Sequence, residues 1–335
     1  MTSREKVMRV AKRCNTGANP FWTGHPSDGA LEQYYAYLGI DNTEALFQFL
    51  DDDCRFLRAE GCYRGPGGRP MFDFTGGKKR ESLSMPGCFA EATLDDIRSY
   101  PWPDPADFDY TELLREIRAH GDKAVFSGSL GTFFHDMCDF FGMEEYFIRM
   151  YTDPQVVHAA TDRLVDFYVE ANDRFFREAG DSFDIFLIVN DFGTQRDLFM
   201  SLEQFRTFIL PGFKRLIEVG KKYGKTIMLH SCGSIYRVIP DLIDAGVDIL
   251  HPIQAMAAHM DAETLAREFG RDLAFCGGVD TQDKLVNWSP AQIREEVLRL
   301  RDVFGGNLIV SASHEEILPN IPIENMIAMA RAAKE

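Results

Sequence analysis

The second half of the chain alternates apolar strand-like segments with amphipathic helix-like ones, and that alternation allows few folds. "FDIFLIVNDFG" precedes "SLEQFRTFILPGFKRLIEVGKKYG", "KTIMLHSCGS" precedes "IYRVIPDLIDAG", and "VDILHPIQ" precedes "DAETLAREFG". "LAFCGGVD" and "NLIVSASHE" complete five such units, ahead of "SPAQIREEVLRLRDVFGG" and "PIENMIAMARAAK". Ser201 and Ser289-Pro290 stand where a helix start wants a side-chain cap and a proline in its first turn. Upstream, "KAVFSGSLG" reads as a sixth strand entering the aromatic helical stretch "TFFHDMCDFFGMEEYFIRMYTDP", and "NPFWTGH" and "DDDCRFLRAEG" are weaker strand candidates. Eight such units in 335 residues predict an α/β chain folded as a (β/α)8 TIM barrel, one domain over 1–335. A doubly wound open sheet is the alternative. The Gly-rich, aperiodic stretch 64–87 is predicted to be an inserted hairpin or lid.

A formal charge of -16 repels phosphate backbones, and "GKKR" at 77–80 is too short a basic run to reverse that, so nucleic acid is excluded as a partner. No segment approaches the roughly 18 apolar residues of a membrane span, and "MTSREKVMRVAKRCNTG" lacks the apolar core of a leader. A cytoplasmic protein is expected. Its seven cysteines are odd in number and scattered, which is no disulfide framework.

Barrels and doubly wound sheets build their sites beyond the carboxyl ends of the strands. Here the apolar runs end on Asn190 and Asp191, on His230 and Cys232, on His251 and Gln254, on Cys276 and Asp280, and on His314, Glu315 and Glu316. Residues i and i+2 of an extended strand share a face, so His230 and Cys232 can present imidazole and thiolate to one point. That pair is the beginning of a zinc site, and a catalytic zinc takes three protein ligands with one position open. His314 is the first choice for the third ligand, with Glu315 and Cys276 behind it. Against this stands a core histidine beside a packed cysteine, since a pair without its third ligand is a weak motif. Asp191 can act as general base or bind a substrate hydroxyl, with Gln195 orienting it, although Asp at such a position more often caps a turn. Gly277 and Gly278 suggest close backbone approach to a ligand, while a diglycine is also ordinary turn chemistry; Gln254, at another strand exit, is a further candidate for binding a cofactor. "FFHDMCDFF", with His135 and Asp139, reads as core packing.

These segments resemble the uroporphyrinogen decarboxylase superfamily, and within it the corrinoid-dependent methyltransferase branch. The likeness runs from "MTSREKVMRVAK" through "GSLGTFFHDMCDFFGMEEYFIRMYTDP" to "LHSCGSIYRVIPDLIDAGVDILHPIQ" and "SHEEILPNIPIENMIAMARAA". It implies a distorted (β/α)8 barrel with its site in the mouth. True decarboxylases carry an arginine-rich segment for the porphyrinogen carboxylates, and the corresponding "NPFWTGHPSDGALEQYY" has no arginine. The methyltransferase branch holds zinc with a His-x-Cys pair, here His230 and Cys232, and a later cysteine, where this chain has "SASHEE" with His314 and Glu315. The resemblance thus implies methyl transfer between a small methylated compound, a methyl ether or thiol as in O-demethylation, and the corrinoid (cobalamin class) of a separate protein. Glu315, Asp191 or a tyrosine would supply the proton, and a homodimer is implied. The alternative is decarboxylation of another carboxylic acid, to be told by whether an arginine such as Arg196 reaches the mouth. A carrier of corrinoid or metal is a third reading, disfavoured because no Asp-x-His-x-x-Gly motif is present.

Overall fold

The computed structural model describes residues 1–14, 17–76, 85–129 and 131–335. "GKKR" and the rest of 77–84, in the middle of the predicted insert, lie outside the described residues.

Nine strands are described: β1 His25–Pro26, β2 Cys54–Phe56, β3 Ala124–Ser127, β4 Ile185–Val189, β5 Thr226–His230, β6 Ile249–Ile253, β7 Ala274–Val279, β8 Leu308–Ala312 and β9 Glu316–Ile317. β2 to β8 form one parallel sheet in chain order, with a helix returning the chain between strands, and β1 pairs with β9 at the rim. The free edges of the sheet meet across residues 20–23. Val310 of β8 donates its amide to Pro20 (2.9 Å) and accepts from Trp22 (3.0 Å), while the amide of Asp53, beside β2, donates to Phe21 (2.9 Å). Carboxylates finish the seam: Asp53 Oδ2 accepts from the Phe21 amide (2.8 Å) and Asp52 Oδ2 from that of Thr23 (2.7 Å). The predicted first strand, "NPFWTGH", therefore fills the eighth stave as an irregular segment. Pro20 has no N–H to give to a ladder, and the two carboxylates take amides that a regular neighbouring strand would accept with its carbonyls.

Alternate residues of the strands point inward. Trp22, Cys54, Phe126, Ile185, Leu187, Met228, Ile249, Ala274, Cys276 and Ile309 fill the barrel, and Val7, Val10 and Ala11 of the helix Ser3–Ala11 join this interior cluster. The predicted caps at Ser201 and Ser289 form reciprocal capping boxes with Gln204 and Gln292. The aromatic stretch forms two helices, Phe133–Phe141 and Met143–Thr152, parted at Gly142, where φ is 83°. Of the predicted insert, Phe72 and Phe74 pack on Phe140 with ring centroids 5.6 and 4.8 Å away.

Asp136, on Phe133–Phe141, is buried and accepts from Tyr168 Oη (2.7 Å) and Thr132 Oγ1 (3.1 Å); burial pushes its carboxyl up to about 7. Burial does the same to Glu60, also to about 7. A carboxyl that binds its proton more tightly when folded stabilises the fold at low pH. That contribution declines as pH rises from the unfolded value, about 4, through the folded one. Asp136→Asn is expected to flatten the stability curve between about pH 4 and 7. Urea titrations across that window check this, and a variant curve parallel to the wild type would refute it.

Candidate metal centre and adjoining cavity

Strand register sets the depth of each inward side chain. Val189 pairs with His230 and His230 with His251, so these three form the uppermost layer of the barrel interior. Cys232, two residues beyond His230, rises into the mouth, where the β4 and β8 exits bring Asp191, His314 and Glu315.

His230 Nε2 lies 3.5 Å from Cys232 Sγ and 3.4 Å from Asp191 Oδ1. Asp191 Oδ1 also accepts the Cys232 amide (2.7 Å). On its other edge, His230 Nδ1 is 3.1 Å from His251 Nδ1 and 3.4 Å from Glu315 Oε2. Glu315 Oε2 stands 3.7 Å from His314 Nδ1, which accepts the Glu316 amide (3.0 Å). Two triads therefore share the thiol, Asp191–His230–Cys232 and Cys232–His314–Glu315, each with donor atoms within 4.8 Å of one another. A third, His230–His251–Glu315, lies deeper.

Burial would lower the His230 pKa, but hydrogen bonds to Asp191 and Cys232 and the charge of Glu315 raise it well above the usual imidazole range. His314 is pushed up to about 9, chiefly by Cys232 and against burial. Burial would raise Asp191, yet His135 and His230 hold it well below the usual carboxylate range. His251 is driven well below the imidazole range by burial and by the charges of His230 and His314. A neutral His251 facing His230 Nδ1–H accepts at Nδ1 and so keeps its proton on Nε2. That atom is buried and has no hydrogen-bond partner, and the buried Glu315 Oε2 meets the two imidazoles only at ion-pair distance. The surroundings of His230 thus favour positive charge, which suits a cation.

Cys276 is no ligand in this arrangement. Its register partner is Ile309, and it sits fully buried in the barrel interior beneath the mouth. Gly277 and Gly278 lie within β7, and a Cβ on Gly277 would come 2.8 Å from the Ile253 amide nitrogen, so this glycine admits the close approach of the neighbouring strand. Gln254 Oε1 accepts the Gly233 amide (2.5 Å) and so holds the loop that carries Cys232. Gln195 and Arg196 are exposed on the turn after β4; the Gln195 carbonyl accepts from Ala258 and the Arg196 amide donates to Thr194. That turn and the Cys232 loop meet backbone to backbone, since a Cβ on Gly233 would lie 2.3 Å from the Gly193 oxygen.

His135 belongs to the site although its helix reads as core. Its Nε2 accepts the Asp191 amide (2.8 Å) and lies 3.5 Å from Asp191 Oδ2. Asn190, fully buried at the β4 exit, docks that helix by accepting the Phe134 amide and donating to Gly131, both at 2.9 Å. A lone histidine on an aromatic helix carries no local signal for this.

Beside the cluster lies a cavity of about 340 Å³, lined by Trp22, His25, Phe56, Arg58, Leu187, Val189, His230, His251, Glu315 and Glu316. A second, of about 440 Å³, opens past His314 toward Gln254 and Asn320. A larger one, of about 600 Å³, lies between Arg69–Asp73 and Phe89–Tyr100 and has none of the clustered donors in its wall.

Fold and site together define a parallel α/β barrel with a metal-competent mouth. The sequence model of the uroporphyrinogen decarboxylase (URO-D) family matches residues 89–335, and the chain belongs to that family. Uroporphyrinogen decarboxylase of Proteus mirabilis (strain HI4320) is 27% identical over 224 residues, 64% of this chain; the chain spans only 59% of that relative's length. A methyltransferase from Methanosarcina mazei shares the fold, with a TM-score of 0.69 over 99% of this chain and 98% of that one, at 15% identity. No helix among the described residues is long and apolar enough to cross a membrane.

Proposed function

We propose that this chain is a zinc-dependent methyltransferase that moves a methyl group between a small methylated compound, an ether or thiol, and a corrinoid carried by a separate protein. One observation carries the reading: nitrogen, sulfur and oxygen donors from three strand exits converge beside a cavity of ligand size. We assign two ligands to His230 and Cys232, which converge with Asp191, and the third to His314, which meets the same thiol in the second triad with Glu315, leaving the fourth position to substrate. Asp191, already an acceptor for the Cys232 amide and close to His230, orients that pair. Bound zinc would polarise an ether oxygen or lower the pKa of a thiol. Glu315, whose buried Oε2 faces the His230 and His314 imidazoles without a hydrogen bond, is placed to hold or deliver a proton at the leaving atom. The structural neighbour from Methanosarcina mazei is named a methyltransferase, which accords with the assignment.

Elemental analysis of protein purified with zinc present tests this: about one zinc per chain is expected. Methyl transfer is then followed through the absorbance spectrum of added corrinoid. Absence of metal under those conditions would sink the mechanism. Decarboxylation of another acid is the second reading, favoured by the family and by one arginine at the mouth, which is Arg58 and not Arg196. Released carbon dioxide in place of methyl transfer would select it.

A further inference from the structure

The β4 exit carries Asp191 to the metal centre, and the amides of three successive residues show what holds it there. Asn190 donates to the His230 carbonyl (3.0 Å) and Phe192 to Ser231 Oγ (3.0 Å), both on the β5 side. The amide between them, that of Asp191, faces the other way. There β3 has already left the sheet, since it pairs with β4 only at Phe126 and Ser127, and an amide stranded at this point needs another acceptor. Residues at the entry to the helix Phe133–Phe141 fill the gap, and His135 Nε2 accepts that amide at 2.8 Å. The same nitrogen stands 3.5 Å from Asp191 Oδ2, so it faces two groups with opposite demands: the amide needs a lone pair, the carboxylate a proton. The amide is the nearer, which leaves Nε2 bare and puts the ring proton on Nδ1. Beyond Asp191 the linkage continues, because its Oδ1 accepts the Cys232 amide (2.7 Å).

Resting on the zinc reading for what the thiol binds, we infer that His135 is a positioning residue of the metal centre. As a hydrogen-bond acceptor it fixes the Asp191 backbone, and through the Asp191 carboxylate it fixes the loop that presents the Cys232 thiol. The helix therefore sets the site through one lone pair, and the role needs an acceptor at the place of Nε2, with no demand for an aromatic ring. That requirement separates it from packing, for which the ring would matter and the nitrogen would not.

The test compares His135→Phe, which keeps the ring and loses the acceptor, with His135→Gln, whose Oε1 can take the amide without the ring. The side chain is 35% exposed, so neither change empties the core. Zinc affinity, measured by competition with a chromophoric chelator, is expected to fall about 10–100-fold in His135→Phe, the range for a group behind metal ligands, and to stay near the wild-type value in His135→Gln. In an Asp191→Ala background, where the amide no longer leads to Cys232, His135→Phe should cost little more. Hydrogen exchange of the metal-free proteins reads the positioning apart from the metal: the segment 231–233, whose middle amide Asp191 holds, should exchange faster in His135→Phe and not in His135→Gln. Unchanged zinc affinity in His135→Phe, an equal loss in His135→Gln, a loss undiminished over Asp191→Ala, or exchange at 231–233 untouched by His135→Phe would each overturn the inference. A wild-type protein that binds no zinc yet shows the exchange difference supports the positioning and removes the proposed function.

Discussion

Replacing Cys232 by alanine is expected to strip zinc from the protein, with affinity falling by well over the roughly 10–100-fold that changes to groups behind metal ligands cost. Cys232 belongs to both triads at the mouth, so its sulfur has no substitute from either side. His230→Ala should do the same. It removes the nitrogen 3.5 Å from that sulfur and leaves Asp191 and Glu315 facing each other with no cation between them. The remaining donors can be told apart. His314→Ala should lose zinc if it is the third ligand, as assigned. Asp191→Asn should retain zinc but weaken it by about 10–100-fold, because the carboxylate acts through the Cys232 amide and His230. Zinc content after dialysis against a chelator, measured across the four variants, reads this directly. Full zinc retention in Cys232→Ala would end the zinc reading, and full loss in Asp191→Asn with retention in His314→Ala would exchange their roles.

Phe140→Ala is expected to lower stability by about 3–5 kcal/mol, the range for emptying a buried aromatic site. Phe140 is fully buried and stacks on Phe89 with centroids 4.5 Å apart and an interplanar angle of 11°. Phe72, Phe74, Tyr100 and Trp102 meet it edge-on or tilted. One ring thus joins the described part of the insert and the segment that carries Tyr100 and Trp102 to the helix Phe133–Phe141. The same helix carries His135 against the Asp191 amide, so the effect should reach the site. Thermal unfolding should drop by roughly 10 °C, taking about 2–4 °C per kcal/mol for a large domain. A shift within about 2 °C, corresponding to under 1 kcal/mol, would show that the cluster relaxes around the loss.

Much of the fold is legible along the chain because it rests on local periodicity. Apolar runs of strand length alternate with helix-period segments, and Ser201 and Ser289 cap helices where their spacing to Gln204 and Gln292 says they should. The seam at 20–23 is less legible. Its side-chain hydrogen bonds come from Asp52 and Asp53, some thirty residues away, and no pattern within "NPFWTGH" announces them.

The site divides the same way. The sequence alone determines that strands end in polar residues and that His230 and Cys232 share a face, since both follow from a two-residue repeat and the chemistry of the side chains. Only the tertiary structure decided which of these residues meet. Register placed His251 level with His230, while Cys276, beside Ile309 on β8, was left packed in the buried interior cluster. Helix docking brought His135 to Asp191 across 56 residues of chain. The rim came together when Arg58, just past β2, met His25, 33 residues earlier in the chain. Local sequence sets the direction of a side chain from its own backbone. Its depth and its neighbours are set by how separate strands align and how helices pack, and those are properties of the whole folded chain.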